Sequence, residues 1–366
     1  MTPKWWLALQ RRKGNPNGNS PRNFVNLLVV KFGGTMIRIV AALATFSMSL
    51  VFCLVLLPVL RKLKAGQQIL CYVTEHSGKS GTPTMGGIAF IAAICVGGAI
   101  FCDITDSVTQ VALSVFAAYG AIGFLDDFIK VRYRRNEGLR AYQKIFFQLA
   151  VAVIVALYVY GQASIGGKLV LPFVGSQSDI GFWVIPFVVF IFVACTNGVN
   201  LTDGIDGLAT TTTIAFLVGL AVLLSAQVVR LEAVGDTLAA DICGNVLTLC
   251  FLSVGALSAF LLFNVNDAKM FMGDTGSLAL GALVACTAIF TRMSLFIPIL
   301  GLMFVVSCLS VILQVVYFKL THGKRIFLMA PYHHHLQHKG WSESRICVLY
   351  AVVTCVTTLV LVCFGE

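Results

Sequence analysis

One polar stretch, T-N-G-V-N-L-T-D-G-I-D-G-L-A at residues 196–209, lies between two long apolar runs and carries the side chains best suited to chemistry. These side chains are two amides and two carboxylates: Asn197, Asn200, Asp203 and Asp206. If a helix begins at Leu201, the two carboxylates share one face of it, which is unfavourable unless a cation or a donor-rich ligand lies opposite. The alternative is an ordinary helix N-terminus, where acids are favoured. Capping alone does not require two Asn, two Asp and two Gly together, so we interpret the stretch as a ligand site.

Two adjacent acids, Asp126 and Asp127, follow an apolar run within G-F-L-D-D-F-I-K (123–130). Carboxylates at a membrane boundary are costly and are usually functional. On a helix, consecutive residues point about 100° apart, so one carboxylate can meet a metal while the other meets a donor. The alternative is a solvated helix end that pairs with Lys130 or Arg132.

A fifth acid, Asp274, stands between two glycines in F-N-V-N-D-A-K-M-F-M-G-D-T-G-S-L (263–278). An acid followed by Thr, Gly and Ser at a helix start can be an N-cap. It can equally present a carboxylate and several backbone N–H groups to a metal-bound phosphate. The sequence leaves both interpretations open.

Two loops carry groups that bind anions. G-K-S-G-T-P-T-M-G-G (78–87) brings Lys79 and Thr84 to a helix start, where a phosphate can be held, although an ordinary Gly/Pro turn explains the pattern equally well. The loop 323–341 contains three consecutive histidines, typical of a metal, proton-transfer or phosphate site: His333, His334 and His335. They lack the i, i+4 spacing of a helical zinc site. The basic residues around them favour anion recognition.

The elements that position these groups are membrane helices. The chain has 366 residues, of which 58% are hydrophobic and only 11% charged, against roughly 25% charged in soluble domains. We therefore predict an all-α polytopic membrane protein. Ten segments approach the roughly 20 apolar residues that a crossing needs: 33–60, 85–102, 108–125, 145–160, 181–195, 209–229, 242–263, 276–290, 295–318 and 346–364. The twelve cysteines form no C-x-x-C pair and are expected to be buried small hydrophobes.

Charge distribution orients the helices. The loops after odd-numbered helices contain sixteen Lys and Arg, and the remaining loops with the C-terminal tail contain three. By the positive-inside rule the five odd loops are cytoplasmic and form the site, and both termini lie outside. The basic segment 1–32 does not fit an outside location by this rule, because the first 38 residues contain seven Lys and Arg. We predict two parts, this segment of unknown role and a catalytic domain at 33–366.

Together, five acids with lysines and histidines at one membrane face suit Mg²⁺ and a diphosphate, because Mg²⁺ takes only one or two carboxylates and completes its shell with phosphate oxygens and water. A site at the edge of a helix bundle can admit a lipid phosphate from the leaflet and a nucleotide from water. A transporter would instead place acids near the bilayer midplane. The apolar runs here are almost free of charge, which argues against transport.

At these residues the chain resembles the phospho-N-acetylmuramoyl-pentapeptide transferases of bacterial peptidoglycan synthesis, within the polyprenyl-phosphate N-acetylhexosamine-1-phosphate transferases. The resemblance runs from about residue 33 to the end. It is carried by five blocks: G-T-P-T-M-G-G (81–87), G-F-L-D-D (123–127), N-L-T-D-G-I-D-G-L-A (200–209), F-M-G-D-T-G-S-L-A-L-G (271–281) and A-P-Y-H-H-H (330–335). The histidine block distinguishes the muramoyl-pentapeptide members from enzymes that use UDP-N-acetylglucosamine.

The resemblance implies a Mg²⁺-dependent homodimer of ten-helix chains in the bacterial inner membrane, with its site on the cytoplasmic face. The reaction would transfer phospho-MurNAc-pentapeptide from its UDP carrier to undecaprenyl phosphate, giving lipid I and UMP. Membrane lipids would surround the chain, and we expect no nucleic acid among its partners. Asp274 would bind Mg²⁺, with Asp126 and Asp127 near the lipid phosphate and Asp126 deprotonating or orienting it. A covalent route with Asp274 as nucleophile is the alternative.

The remaining site residues are assigned by the same resemblance. Asn197, Asn200, Asp203 and Asp206 would contact the nucleotide and metal region, and Phe271 would stack on uracil. Phosphates and sugar would be contacted by a further group: Lys79, Thr84, Lys130, Lys144, His333, His334 and His335.

The chain departs from the family pattern at three places. Gln337 stands where a Glu is usual, Asp267-Ala268 replaces a usual Pro-Ala, and residues 1–32 do not match clearly. Two other functions remain open. One is a sibling transferase that makes a UDP-N-acetylglucosamine-derived or related lipid, and the other is a non-catalytic lipid-binding or transport protein.

Overall fold

The computed structural model describes residues 21–63, 81–133 and 138–364, with side chains from residue 34 onward. Two units are distinguished, Met1–Val40 and Ala41–Glu366, and the predicted site residues that can be described belong to the second. The helices in these ranges are α1 Pro21–Lys62, α2 Gly87–Phe101, α3 Ser107–Tyr133, α4 Ala141–Gly161, α5 Val184–Thr202, α6 Leu208–Val234, α7 Thr237–Asn264, α8 Gly273–Phe290, α9 Ile297–Leu300, α10 Leu302–Leu320, α11 Tyr332–His338 and α12 Glu343–Phe364.

Each of the ten predicted apolar segments coincides with helical structure, which confirms the all-α polytopic class. Nine of the described helices are long and apolar enough to cross a membrane, whereas α2 has 15 residues and is shorter. Ten crossings therefore remain a prediction. Helices dominate because backbone N–H and C=O groups in a bilayer must be satisfied within the segment that carries them.

Helix α8 lies at the centre of the bundle. Every residue from Thr275 to Phe290 is buried, and α3 and α5 pack against the helix. Small residues make this packing possible: a Cβ on Gly281 would overlap the backbone of Thr196 on α5. Close backbone approach at small residues is a common way for membrane helices to associate. The central helix therefore has its first turn fixed by neighbours on several sides.

The outer faces of the bundle are apolar and exposed. Leu43 on α1, Ile154 on α4 and Phe190 on α5 are 63%, 69% and 67% exposed. Contiguous exposed apolar surface is unfavourable in water and marks contact with an apolar environment. These faces are consistent with contact to lipid.

The end of the bundle remote from the predicted site is closed by a short hairpin and a buried arginine. Strand β1, Lys168–Val170, pairs antiparallel with β2, Gln177–Asp179. Arg292 is 5% exposed, donates to the carbonyl of Ser164, and lies 3.4 Å from the Oδ2 of Asp236. A buried charge needs such partners, so these contacts fix the hairpin end.

Four expectations require comment. A helix does not begin at Leu201: α5 ends at Thr202, a turn follows, and α6 begins at Leu208, after Gly207 with φ +74°. The condition under which the two carboxylates would share one helical face is therefore not met, because the stretch closes one helix before it opens the next. Helix α3 continues past the predicted end at residue 125 to Tyr133. The segment 1–32 lies largely outside the described residues, and its boundary stays a prediction. None of the cysteines in the described part of the chain forms a disulfide there.

Candidate active site

Three carboxylates meet where α3 and α8 cross. Asp126, Asp127 and Asp274 each offer an oxygen within 4.8 Å of the others. The crossing is close because Gly123 faces the carbonyl of Asp274, which a Cβ at that position would overlap. Glycine is required there for the helices to approach each other. Residues that are distant in sequence thus form one acidic cluster, which we call the acid cluster.

Two lysines neutralise part of this charge. The Nζ of Lys130 lies 2.6 Å from the Oδ2 of Asp126 and 2.6 Å from the Oδ2 of Asp274. The Nζ of Lys144, on α4, lies 3.1 Å from the same oxygen of Asp274. All three contacts are ion pairs, and that between Lys130 and Asp274 is also a hydrogen bond, which is strong when both groups are charged. Asp126 does pair with Lys130, as the alternative interpretation supposed. The pair is, however, part of a larger cluster, and Asp126 is buried and not at a solvated helix end.

Asp127 is held by hydrogen bonds from the start of α8. Its Oδ2 accepts hydrogen bonds from the backbone N–H of Thr275 at 2.9 Å and from the Thr275 hydroxyl at 2.7 Å. Gly273 has φ +70°, and a Cβ there would overlap Asp127 and the hydroxyl of Thr84. Thr84 therefore lies near the acid cluster, and its predicted contact with phosphates and sugar stays a prediction.

Asp126 is oriented by the chain between α3 and α4. Its Oδ1 accepts the backbone N–H of Leu139 at 2.8 Å, and its Oδ2 contacts Lys130. With both oxygens engaged, the carboxylate has one orientation, which is the condition for a group that acts on a bound ligand.

The two asparagines of the 196–209 stretch have different surroundings. Asn200 donates to the Oδ1 of Asp274 at 2.5 Å and to the Oγ of Ser277 at 2.8 Å, so it belongs to the acid cluster. Asn197 donates to the Oε1 of Gln148 and to the carbonyl of Val193. The first contact joins α5 to α4, and the second lies within α5, so Asn197 contributes to helix packing, and its predicted contact with the nucleotide stays a prediction.

Asp203 and Asp206 lie in the turn between α5 and α6. Removal from water raises the pKa of Asp203 well above its usual value, and the negative charges of Asp274, Asp127 and Asp206 add to the effect. Asp206 is buried and accepts the backbone N–H of Ala268 on its Oδ2 at 3.0 Å. Asp203 is thus electrostatically coupled to the acid cluster, whereas Asp206 joins the turn to the loop before α8.

The three histidines lie on the short helix α11, against this turn. His333 is fully buried, and a Cβ on Gly204 would overlap its Nε2 and lie 3.1 Å from the Nε2 of His334. His335 differs: its Nδ1 accepts the N–H of Leu328, and its ring stacks on Tyr332. Desolvation and the nearby charges of Lys339 and His338 lower its pKa. Two histidines therefore face the site, while the third organises its own loop.

The loop before α2 pairs with the loop before α8. The N–H of Phe271 donates to the carbonyl of Pro83 and the N–H of Gly86 donates to the carbonyl of Phe271, both at 2.9 Å. Phe271 itself is half-buried, so part of its ring surface is accessible. Lys79, predicted for the same loop, lies outside the described residues.

Some residues of the site were not singled out from the sequence. Thr275 and Ser277 contact Asp127 and Asn200, and their signal was present in the D-T-G-S run. Glu343 accepts the backbone N–H of Asp206 at 3.2 Å. Nothing in its sequence surroundings indicated this, because the contact joins residues 137 positions apart.

The donor set of the acid cluster fits Mg²⁺. The three carboxylates supply hard oxygen ligands and no sulfur or imidazole, which is the preference of this ion. Among the described residues this is the one group of acids, histidines or cysteines with metal-ligand spacing. Lys130 and Lys144 reduce the net negative charge, which suits an ion that shares its site with phosphate.

The fold and the site together define a polytopic membrane transferase of the phosphoglycosyl type. The profile of glycosyl transferase family 4 matches residues 109–292, and signature 1 of phospho-N-acetylmuramoyl-pentapeptide-transferase matches residues 79–91. Three curated relatives carry the name phospho-N-acetylmuramoyl-pentapeptide-transferase. That of Clostridium novyi (strain NT) is 40% identical over 325 residues, covering 88% of this chain and 95% of the relative.

The relative from Clostridioides difficile (strain 630) is 41% identical over 316 residues, covering 86% of this chain and 94% of its own length. That from Clostridium botulinum (strain Alaska E43 / Type E3) is 42% identical over 322 residues, covering 87% of this chain and 94% of the relative. The chain belongs to the phospho-N-acetylmuramoyl-pentapeptide-transferase family, and it is an enzyme.

Proposed function

We propose that this enzyme transfers phospho-MurNAc-pentapeptide from UDP-MurNAc-pentapeptide to undecaprenyl phosphate. The products are lipid I and UMP. The observation that carries the proposal is the acid cluster with its two lysines, built at one end of a bundle of apolar helices in a chain of this family. Such a site can receive a water-soluble nucleotide and a lipid phosphate at the same time.

The chemistry is an exchange of one phosphoanhydride bond for another. An oxygen of the lipid phosphate attacks the phosphorus that is bonded to the sugar, and the bond between that phosphorus and the bridging oxygen breaks. UMP leaves with the bridging oxygen. Phosphoryl transfer of this kind depends on positioning and on stabilising negative charge.

The acids of the cluster would hold Mg²⁺, with Asp274, Asp126 and Asp127 as its ligands. When bound, this ion supplies positive charge to the diphosphate oxygens. The protein's own groups complete the site: Lys130 and Lys144 bind phosphate oxygens. Asp126, fixed by Leu139 and Lys130, orients the attacking phosphate or accepts its proton.

The donor would lie across the turn between α5 and α6. Asn200 and Asp203 face the nucleotide and metal region, and Asp206 supports the turn. Phe271 offers its accessible ring surface to uracil. Thr84, Lys79 and the histidines His333 and His334 bind phosphates and sugar, whereas His335 supports the loop that carries them.

Direct attack by the lipid phosphate is favoured over a covalent route. In a covalent route the carboxylate of Asp274 would itself attack phosphorus, so its oxygens would have to be strongly nucleophilic. Its Oδ1 accepts from Asn200, and its Oδ2 contacts Lys130 and Lys144. Strong donors on both oxygens reduce the nucleophilicity of a carboxylate, which supports a single displacement.

We further propose that the enzyme lies in the bacterial inner membrane with the site on the cytoplasmic face, both termini outside, and two chains per functional unit. The excess of Lys and Arg in the loops that bring the acids together supports this orientation.

The test is UMP release by purified protein with Mg²⁺ and undecaprenyl phosphate. UDP-MurNAc-pentapeptide and UDP-N-acetylglucosamine are offered in parallel, and we expect turnover with the first alone. Turnover with the second alone would keep the chemistry and overturn the substrate. Asp274→Asn should abolish nearly all turnover, whereas Asp241→Asn makes the same change at an exposed acid and should leave it intact.

A further inference from the structure

A chain of polar contacts connects the histidine helix to the start of α12. The Nδ1 of His334 lies 2.6 Å from the Oε1 of Gln337. The Nε2 of Gln337 lies 3.5 Å from the Oε1 of Glu343, and the Oε2 of Glu343 accepts the backbone N–H of Asp206 at 3.2 Å. Gln337 is also the position where the sequence departs from the family's usual Glu.

This arrangement fixes the orientation of the Gln337 amide. A carboxylate only accepts hydrogen bonds, so the NH₂ group of Gln337 must face Glu343, and its oxygen must face His334. At 3.5 Å the hydrogen bond is long, but the reversed amide would set its oxygen against a negative charge, which is repulsive at that distance. Glu343 therefore determines whether His334 faces the oxygen or the NH₂ group of the Gln337 amide.

The orientation of the amide in turn fixes the proton of His334. An amide oxygen only accepts, so the Nδ1 of His334 must carry the hydrogen. In the neutral ring this leaves the Nε2 lone pair as the acceptor. That nitrogen faces Gly204, in the turn between Asp203 and Asp206. The tautomer of a functional histidine is commonly set in this way by the partner of its other nitrogen.

We propose that Glu343 is a positioning residue that acts through Gln337 to keep the proton of His334 on Nδ1, which makes Nε2 a hydrogen-bond acceptor. Glu343 supplies, one residue further away, the negative charge that Gln337 lacks. Its second oxygen accepts the backbone N–H of Asp206, so the same carboxylate stabilises the turn and fixes the proton position of the histidine that faces it. The proposal rests on the proposed function only for what His334 contacts, a hydroxyl of the nucleotide-sugar that donates to Nε2.

A cycle of two isosteric changes tests the proposal. In Glu343→Gln the new amide must turn its oxygen to the Asp206 N–H and its NH₂ to Gln337. Gln337 then reverses, presents its own NH₂ to His334, and moves the proton to Nε2. In Gln337→Glu the carboxylate still accepts from Nδ1–H, so the tautomer is unchanged. In the double variant, the carboxylate introduced at position 337 accepts from both neighbours and restores Nδ1–H.

The readout is ¹⁵N spectroscopy of histidine-labelled full-length protein in lipid, where the shifts of the two ring nitrogens identify the tautomer. The His334 signals are assigned by their loss in His334→Asn. We expect Nδ1–H in the wild type, in Gln337→Glu and in the double variant, and Nε2–H in Glu343→Gln. An unchanged tautomer in Glu343→Gln, or one that the double variant does not restore, overturns the proposal. Because this readout needs no turnover, it is independent of the proposed substrate.

Activity provides a second readout. Loss of a partner that orients a ligand histidine typically lowers affinity or activity about 10- to 100-fold. We expect KM for the UDP-sugar to rise about 10-fold in Glu343→Gln, with kcat changed less and with recovery in the double variant. Glu232→Gln, the same change at an exposed acid of α6, is the control. A rise in KM that the double variant does not reverse would indicate a purely structural role and contradict the proposal.

Discussion

Replacement of Lys130 by Met tests whether the acid cluster is balanced by charge from the protein itself. The ammonium lies 2.6 Å from oxygens of both Asp126 and Asp274, and its side chain is 27% exposed. Met keeps the apolar stem and removes the charge. The three acids lie within 4.8 Å of one another, and after the change Lys144 still contacts Asp274.

The structure sets the size of the two expected effects. Breaking a buried ion pair costs about 3–5 kcal/mol, and an exposed pair contributes about 1 kcal/mol or less. Lys130 lies between these limits, so Lys130→Met should destabilise the metal-free protein by about 1–3 kcal/mol. The affinity for Mg²⁺ should change in the opposite direction. A unit charge at about 4 Å contributes about 4 kcal/mol at an effective dielectric of 20, which partial exposure reduces.

We therefore expect Mg²⁺ to bind Lys130→Met about 10- to 100-fold more tightly, equivalent to about 1.4–2.8 kcal/mol. Thermal unfolding of the full chain in lipid, first in EDTA and then at increasing Mg²⁺, measures both effects because a ligand stabilises the folded state by RT ln(1 + [L]/Kd). Lys269→Met removes an exposed lysine from the loop before α8 and is the matched control.

The reasoning would be refuted by a Lys130→Met protein as stable in EDTA as the wild type and with the same Mg²⁺ dependence. That result would mean that the ammonium and the carboxylates do not interact in the folded protein. A loss of stability without tighter Mg²⁺ binding would show that the acid cluster is not the cation site.

Two further predictions concern packing and pH. Gly123→Ala should lower the unfolding temperature and abolish UMP release, since its Cβ overlaps the Asp274 carbonyl, whereas Gly161→Ala has open space around it and should do neither. The pKa of Asp203 is raised in the folded state, so the stability linked to its protonation is present below the unfolded pKa and is lost as pH rises through the folded one. In EDTA, the thermal stability of Asp203→Asn relative to the wild type should therefore increase as the pH rises above about 4, the pKa of an unfolded Asp. A pH-independent difference would contradict the pKa shift.

The sequence alone predicted the helical membrane class, because apolar runs of this length admit few other structures. It also singled out Asp126 and Asp127, because adjacent carboxylates after an apolar run are unusual enough to be recognised without knowing their neighbours, whereas Asp274 was given a role only by the family resemblance. The bounds of the helices were less accurate, as the turn at 203–207 shows. That turn depends on contacts with α11 and α12 that lie far along the chain.

The tertiary structure alone decided which of the polar residues act together. Asn197 and Asn200 are three residues apart and look alike in sequence, yet one joins α5 to Gln148 and the other binds Asp274. The difference arises because the two amides point to different neighbours on a helix surrounded by other helices. Glu343 shows the same point, since its contact with Asp206 exists only after α12 has packed beside the turn. Local sequence determines which elements form, but partners distant in the chain are brought together only by packing.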